Sequence, residues 1–221
     1  FQRHDDGSAT PLDNHGSILK NLDGLIDTQP YVTNTSDIVA FMVLEHQITV
    51  HNAIEKARLN TRLRLHQNQV IADLLKLGPG ELTETSQRVL DGLADNLMDA
   101  ILFYDEFPLP RRVLGKKSIF QRTFEQQVEP GSNGYSLYAM DLEHRLFRFR
   151  CSFMIYSQPF ADLPPTFLSL FFRKLGAVLL DGNPDEDKYV DIDREERLAI
   201  SRILQNTLPA QWRNEMRVNS K

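Results

Sequence analysis

From Ser36 to Leu77 the chain contains neither proline nor glycine, and this uninterrupted stretch constrains everything that follows. Its residues suit one long helix. Ser36 is expected as the N-cap, Asp37 sets a carboxylate at the positive end of the helix dipole, and Gly78-Pro79-Gly80 is the expected stop. Some 41 residues at 1.5 Å rise would extend roughly 60 Å, longer than an ordinary globular helix, so a kink or break is expected near Asn60. Val39, Val43, His46, Val50 and Ile54 recur in steps of four, three, four and four, giving an apolar stripe with a histidine in it.

That stripe needs partners, and the rest of the chain offers them. Thr83 to Tyr104 reads as a second helix with Ser86, Leu90, Leu93, Leu97, Ile101 and Tyr104 down one side. The short Gly78-Pro79-Gly80 connection makes it antiparallel to the end of the first. Pro108 and Pro110 impose an extended segment, Ser118 to Gln127 suits a short helix, and residues 130–134 form a loop. Leu137 to Ser157 carries two periodicities. Leu142, Leu146, Phe149 and Phe153 keep helical spacing, whereas Phe147, Phe149, Cys151, Phe153 and Ile155 alternate as in a strand; helix with a break near Arg150 is the reading adopted. Leu163-Pro164-Pro165 opens a further helix with Phe167, Leu168, Phe171, Leu175, Val178 and Leu179 on its apolar face. Asp193 and Glu196 fit a capping box for a last helix, Arg194 to Thr207, with Leu198, Ile200, Ile203 and Leu204 turned inward and Pro209 closing it. The expected class is all-α: a multi-helix bundle built on one long N-terminal helix. An irregular arm (1–35), a single helical domain (36–210) and a C-terminal tail (211–221) make up the chain. In the arm, Ile18, Leu19, Leu22, Leu25 and Ile26 allow one or two helical turns, so it reads as a strap laid on the helical body or on a preceding domain.

Composition removes several function classes. A net charge of −5 over 221 residues opposes general nucleic-acid binding, which needs a basic face. No run approaches the ~18 apolar residues of a membrane span, and the first residues lack the basic-then-apolar pattern of an export leader. The single cysteine, Cys151, excludes an internal disulfide framework and covalent haem attachment of the C-x-x-C-H kind. Gly-rich phosphate loops, H-E-x-x-H and nucleophile elbows are absent.

Five sets of residues can be weighed for chemistry. His46 with Met42 at i, i+4 supplies ligand types familiar from haem and copper sites. Both leave the same side of the helix, so at most one could be axial to a given haem. The competing reading is a core histidine hydrogen-bonded to a buried carbonyl. His51 lies about 140° around the helix from His46, so the two do not form an i, i+4 chelate; with Glu55 it forms either a ligand and its supporting carboxylate or a surface ion pair. His4 and His15 in the arm are expected to be solvated. His144 and Cys151 invite a nucleophile reading, but seven helical residues separate them by about 10.5 Å, and a buried structural cysteine is the simpler account. Asp181 to Asp187 resembles a calcium loop in its alternating oxygens but has Glu186 and Ile192 where an EF-hand needs glycine and glutamate, so it reads as a solvated acidic turn. Arg111-Arg112, Lys116-Lys117 and Arg145, Arg148, Arg150 could receive anionic groups, or pair with the chain's own carboxylates.

Ser36-Asp37-Ile38-Val39-Ala40, then Met42-Val43-Leu44-Glu45-His46-Gln47 and His51-Asn52, followed by Arg145-Leu146-Phe147-Arg148, Cys151-Ser152 and Ile155-Tyr156-Ser157, resemble the C-terminal part of large exported bacterial proteins related to c-type cytochromes. The resemblance covers roughly residues 30 to 210. That family carries haem-attachment motifs in an N-terminal half, and its segment before the helical part contains an Arg-His pair that Arg3-His4 would match, which would start this chain just inside the cytochrome-like half. The resemblance implies a periplasmic or otherwise exported location and an association with electron transfer. A cytochrome-like domain or redox partner would then be the neighbour, with haem or metal bound or covered through His46 and with His51, His4 and Met42 as further candidates. Any such haem is not covalently attached within this chain. A cofactor-free structural or protein-interaction domain is the alternative, docking through the 107–117 loop or the basic cluster.

Overall fold

The computed structural model describes residues 2–4, 9–10, 21–30, 37–78, 80–104, 106–109, 113, 118–127, 135–180 and 188–216. Ser36, His15, the 130–134 loop, the acidic turn at 181–187, Arg111-Arg112 and Lys116-Lys117 lie outside them.

The fold is all-α, organised on the long helix. Helix α1 runs Ile38–Leu75 as 38 continuous residues, with no break at Asn60, whose Nδ2 donates to the Lys56 carbonyl at 2.8 Å. Its N-cap is Asp37: Oδ1 accepts from the N–H groups of Val39 at 2.9 Å and Ala40 at 3.4 Å. The helix stops ahead of the glycines, because Lys76 takes up a left-handed conformation (φ 55°) and its N–H returns to the Ala72 carbonyl. Val39, Val43, Val50, Ile54 and Ala57 are buried, as the stripe requires.

Helix α2, Glu84–Ile101, lies against α1 and is capped by Thr83. Buried Asn68 of α1 fixes the connection: its Nδ2 donates to the Glu81 carbonyl (2.9 Å) and its Oδ1 accepts from Thr83 N–H (2.8 Å). Ser86, Leu90, Leu93, Leu97 and Ile101 face inward as expected. Tyr104 does not. Helical geometry ends at Leu102, and Phe103 adopts φ 55°, which turns the chain so that Phe103 enters the core side and Tyr104 is 44% exposed.

Helix α3 (Ile119–Glu125) is capped by Ser118, and α4 (Gln158–Ala161) by Ser157; both contact α1. Helix α5 (Pro165–Leu180) packs on α2 and supplies Phe167, Phe171, Phe172 and Leu175 to the centre of the core. Helix α6 (Arg194–Thr207) is capped by Asp193, whose Oδ1 accepts from Glu196 N–H at 2.8 Å. Ile200, Ile203 and Leu204 are buried there, but Leu198 is 39% exposed, since it lies two residues from Ile200 and thus on another face of the helix.

Two stretches depart from the sequence reading. Residues 137–152 are not helical. Leu142 has φ 61°, Met140 and Phe147 form an antiparallel bridge, and only Phe153–Tyr156 coil into a 3-10 turn. Neither period prevailed: the segment forms no strand, Arg148 is exposed between buried Phe147 and Phe149, and from Cys151 to Ile155 every residue is buried. Downstream of Pro209 the chain forms α7, Ala210–Glu215, which packs on α5 rather than trailing away as a tail. Trp212 stacks on Phe172 (5.3 Å between centroids), and Gly176 permits the close approach. A Cβ there would sit 2.1 Å from the Met216 carbonyl oxygen.

In the arm, β1 (Gln2–Arg3) and β2 (Ala9–Thr10) pair antiparallel, and residues 22–26 make a turn with Leu25 and Ile26 exposed. Among the described residues no helix is long and apolar enough to cross a membrane.

Candidate functional site

His46 is brought to the core by its place on the buried stripe of α1, and the non-helical segment after Phe147 is folded so as to meet it. Its Nε2 lies 2.7 Å from the Ser152 hydroxyl. Ser152 is fully buried; its own N–H donates to the Ile101 carbonyl at the end of α2 (2.8 Å), and its Oγ also accepts from Met154 N–H (3.2 Å). The imidazole stacks face to face on Phe103, with centroids 4.4 Å apart and planes 10° apart, and is flanked by Phe147 and Phe153. Burial among these rings lowers the His46 pKa to about 4, so at neutral pH the ring is uncharged. The left-handed Phe103 at the end of α2 has its purpose here: it delivers the ring that covers His46.

The other sequence candidates do not join it. His51 is exposed on a different face of α1, and Glu55 pairs with Arg58 (Nη2 to Oε2 2.5 Å) rather than chiefly with His51. Hydrogen bonding to Arg58 holds the Glu55 carboxyl below its usual range. Met42 is half-buried against the core, and His4 is exposed beside the β1–β2 ladder. Cys151 is fully buried and its thiol is pushed up by desolvation, while His144 is 81% exposed with its Nδ1 3.7 Å from Asp141 Oδ2. Among the described residues, the one group of three metal-capable side chains with ligand atoms within 4.8 Å of one another is Asp141, Glu143 and His144, on the surface.

A cleft of about 510 Å³ opens between the end of α2, the 141–150 segment and the start of α6. Its cations are engaged internally. Arg145 and Arg150 both reach Glu196 (3.3 and 3.1 Å), a carboxylate only 8% exposed that also accepts the Arg150 N–H at 2.6 Å. Lys188 reaches Asp99 at 2.9 Å, and the Tyr189 hydroxyl donates to the same carboxylate at 2.8 Å. Burial raises the pKa of Glu106, whose Oε1 accepts one long bond (3.4 Å) from Leu146 N–H. The expected basic cluster is therefore largely a structural ion network, with Arg148 alone lying over the Tyr135 and Phe149 rings. In sequence, Glu196 reads only as a capping residue, and its buried role is invisible because its partners lie 46 and 51 residues away.

The feature that sequence reasoning passed over is the outer face of α1. Phe41, Leu44, Ile48, Leu59, Leu63, Val70 and Leu74 are each half or more exposed. At 100° per residue they cluster on the side roughly opposite the buried stripe, so α1 is apolar on two faces. The three- and four-residue steps within Phe41–Leu44–Ile48, Leu59–Leu63 and Val70–Leu74 are the signal that could have found them.

Comparison of the chain with family models, curated proteins and solved structures finds no match in any of the three. The class of protein rests on the geometry: among the described residues, an all-α bundle whose longest helix carries exposed apolar side chains opposite its buried stripe, and in which Thr61 Oγ1 and Arg213 Nε are buried without a hydrogen-bond partner.

Proposed function

We propose that the chain is a structural and protein-interaction domain whose working surface is the outer face of α1. The observation that carries this reading is the exposed row Phe41, Leu44, Ile48, Leu59, Leu63, Val70 and Leu74. Scattered single apolar residues are normal on a surface, but seven on one face of one helix, in two clusters, mark a surface that is covered in use. The chemistry around His46 favours the same reading. Its Nε2 is held by Ser152 and its ring faces are occupied by phenylalanines, so its contacts are those of a core residue. The resemblance to exported cytochrome-related proteins supplies the proposed setting, an assembly outside the cytoplasm in which this domain supports a redox partner without itself holding the haem.

A photo-crosslinking residue placed at Leu63 tests the reading. Ultraviolet irradiation in the native host is expected to join it to another polypeptide, with no adduct from the same residue placed at Leu198 on α6. Adducts at neither position, or equally at both, would defeat the proposal.

A further inference from the structure

Resting on the reading of α1 as a docking face, we infer that the occupant is a second copy of this chain, laid antiparallel along the helix. The first argument is the spacing of the exposed row. It consists of two clusters, Phe41-Leu44-Ile48 and Leu59-Leu63 continuing to Val70 and Leu74, separated by the polar Asn52 and Glu55. A two-fold axis passing between Ala53 and Ile54 sets Ile48 against Leu59 of the partner subunit and Leu44 at the level of Leu63 of the partner subunit. Phe41 then falls at the level of His66 of the partner subunit, the polar interval meets itself, and Val70 and Leu74 lie at the ends of the contact, level with or beyond the start of the facing helix. An isologous contact of this kind closes on a dimer and leaves no apolar row to propagate.

Charge is the second argument, and it selects direction. From Asp37 to Glu55 the helix region carries Asp37, Glu45 and Glu55 and no lysine or arginine; from Lys56 to Lys76 it carries Lys56, Arg58, Arg62, Arg64 and Lys76 against Asp73. Parallel pairing would set like charge on like. Glu55 is paired with Arg58 and Asp37 caps its own helix, but antiparallel pairing about the same axis sets Glu45 at the level of Arg62 of the partner subunit, an opposite-charge match of the kind that fixes register and partner choice.

The size of the face is the third. The five side chains from Phe41 to Leu63 that overlap in this arrangement offer on the order of 500 Å² of apolar area, the apolar centre of the ~800 Å² that each partner of a standard stable interface contributes and the size of the largest, often functional, patch on a typical monomer.

Light scattering on the purified chain at micromolar concentration is expected to give twice the 25.4 kDa of one chain. The variants Leu59→Asp and Ile48→Asp change exposed positions only, so each is expected to keep its helical circular dichroism and to run as a monomer. Orientation is read by cysteine cross-linking with copper phenanthroline as oxidant. A mixture of Ile48→Cys and Leu59→Cys chains should give a covalent dimer, and Ile48→Cys alone should not. The reverse pattern would show parallel pairing and overturn the inference. A monomeric wild-type chain would also overturn it. In that event an adduct between the Leu63 photo-crosslinker and a different polypeptide leaves the docking reading standing, whereas no adduct removes both.

Discussion

The Nε2 of His46 and the hydroxyl of Ser152 lie 2.7 Å apart across 106 residues of sequence, and through this contact the long helix is tied to the end of α2. The contact joins the first turns of α1 to the segment around 145–157, which are far apart in the sequence. Truncating the ring removes both the stack on Phe103 and the partner of a buried hydroxyl. His46→Ala is therefore expected to cost about 2–4 kcal/mol and Ser152→Ala about 1 kcal/mol, with the double variant losing less than the sum. Urea denaturation of the four proteins measures the cycle. A visible spectrum of the protein from its native host, oxidised and reduced, is expected to show protein absorbance alone; a Soret band lost in His46→Ala would instead make this histidine an iron ligand.

The same histidine gives stability a pH dependence of defined sign. Its pKa is about 4 in the fold against 6.5 for the free side chain, so between these values the unfolded chain binds the proton that the folded chain refuses. Stability from this group is complete above pH 6.5, declines as pH falls, and levels off below about pH 4, a total change on the order of 3 kcal/mol. Glu106 acts in the opposite sense, because burial raises its pKa: its contribution is present in acid and is lost as pH rises through the folded value. The difference in unfolding free energy between wild type and His46→Phe should vary over pH 4 to 6.5, whereas Glu106→Gln should be neutral or stabilising at pH 7 and lose that advantage in acid. A flat difference for His46→Phe would mean that the ring is solvated.

Where sequence and structure agree and where they part has a physical explanation. Helices α1, α2, α5 and α6 were legible because each is long enough for its buried stripe to repeat several times, and because Asp193 is a cap with a local partner. Residues 137–157 were not, because Phe149 and Phe153 satisfy both periods and only tertiary contacts choose between them. Arg150 N–H bonds to Glu196, Ser152 N–H to Ile101, and Leu142 requires a left-handed backbone. His46 was legible as a core-facing histidine, but Ser152 as its partner was not. The two faces of α1 show the same limit: the inner stripe repeats without a gap and is legible, whereas the outer one is interrupted by the polar Asn52 and Glu55, which hides its period.

Cys151 is a direct check on the packed core. It is fully buried and its thiol is raised well above the usual range by desolvation. The native protein should react with iodoacetamide far more slowly than the urea-unfolded chain, by at least two orders of magnitude, since the thiolate is the reacting form. Comparable rates would mean that the 147–153 segment opens readily, and would restore a nucleophile role to consideration.

Docking of α7 depends on one missing methyl group. In Gly176→Ala the new Cβ would stand 2.1 Å from the carbonyl oxygen of Met216 and 2.8 Å from its Cα, and backbone cannot yield as a flexible side chain can. Helix α7 must then shift off α5, which takes Trp212 from its stack on Phe172 and exposes the buried Met216. The expected cost is about 1–3 kcal/mol, in the range of core overpacking, offset only slightly by the better helix propensity of alanine. Because Trp212 is the single tryptophan, its emission reports the event without interference: a red shift under native conditions, with the helical circular dichroism of α1 to α6 retained. Unchanged emission and unchanged stability would show that α7 has room to spare and that the close approach at Gly176 does not hold it in place.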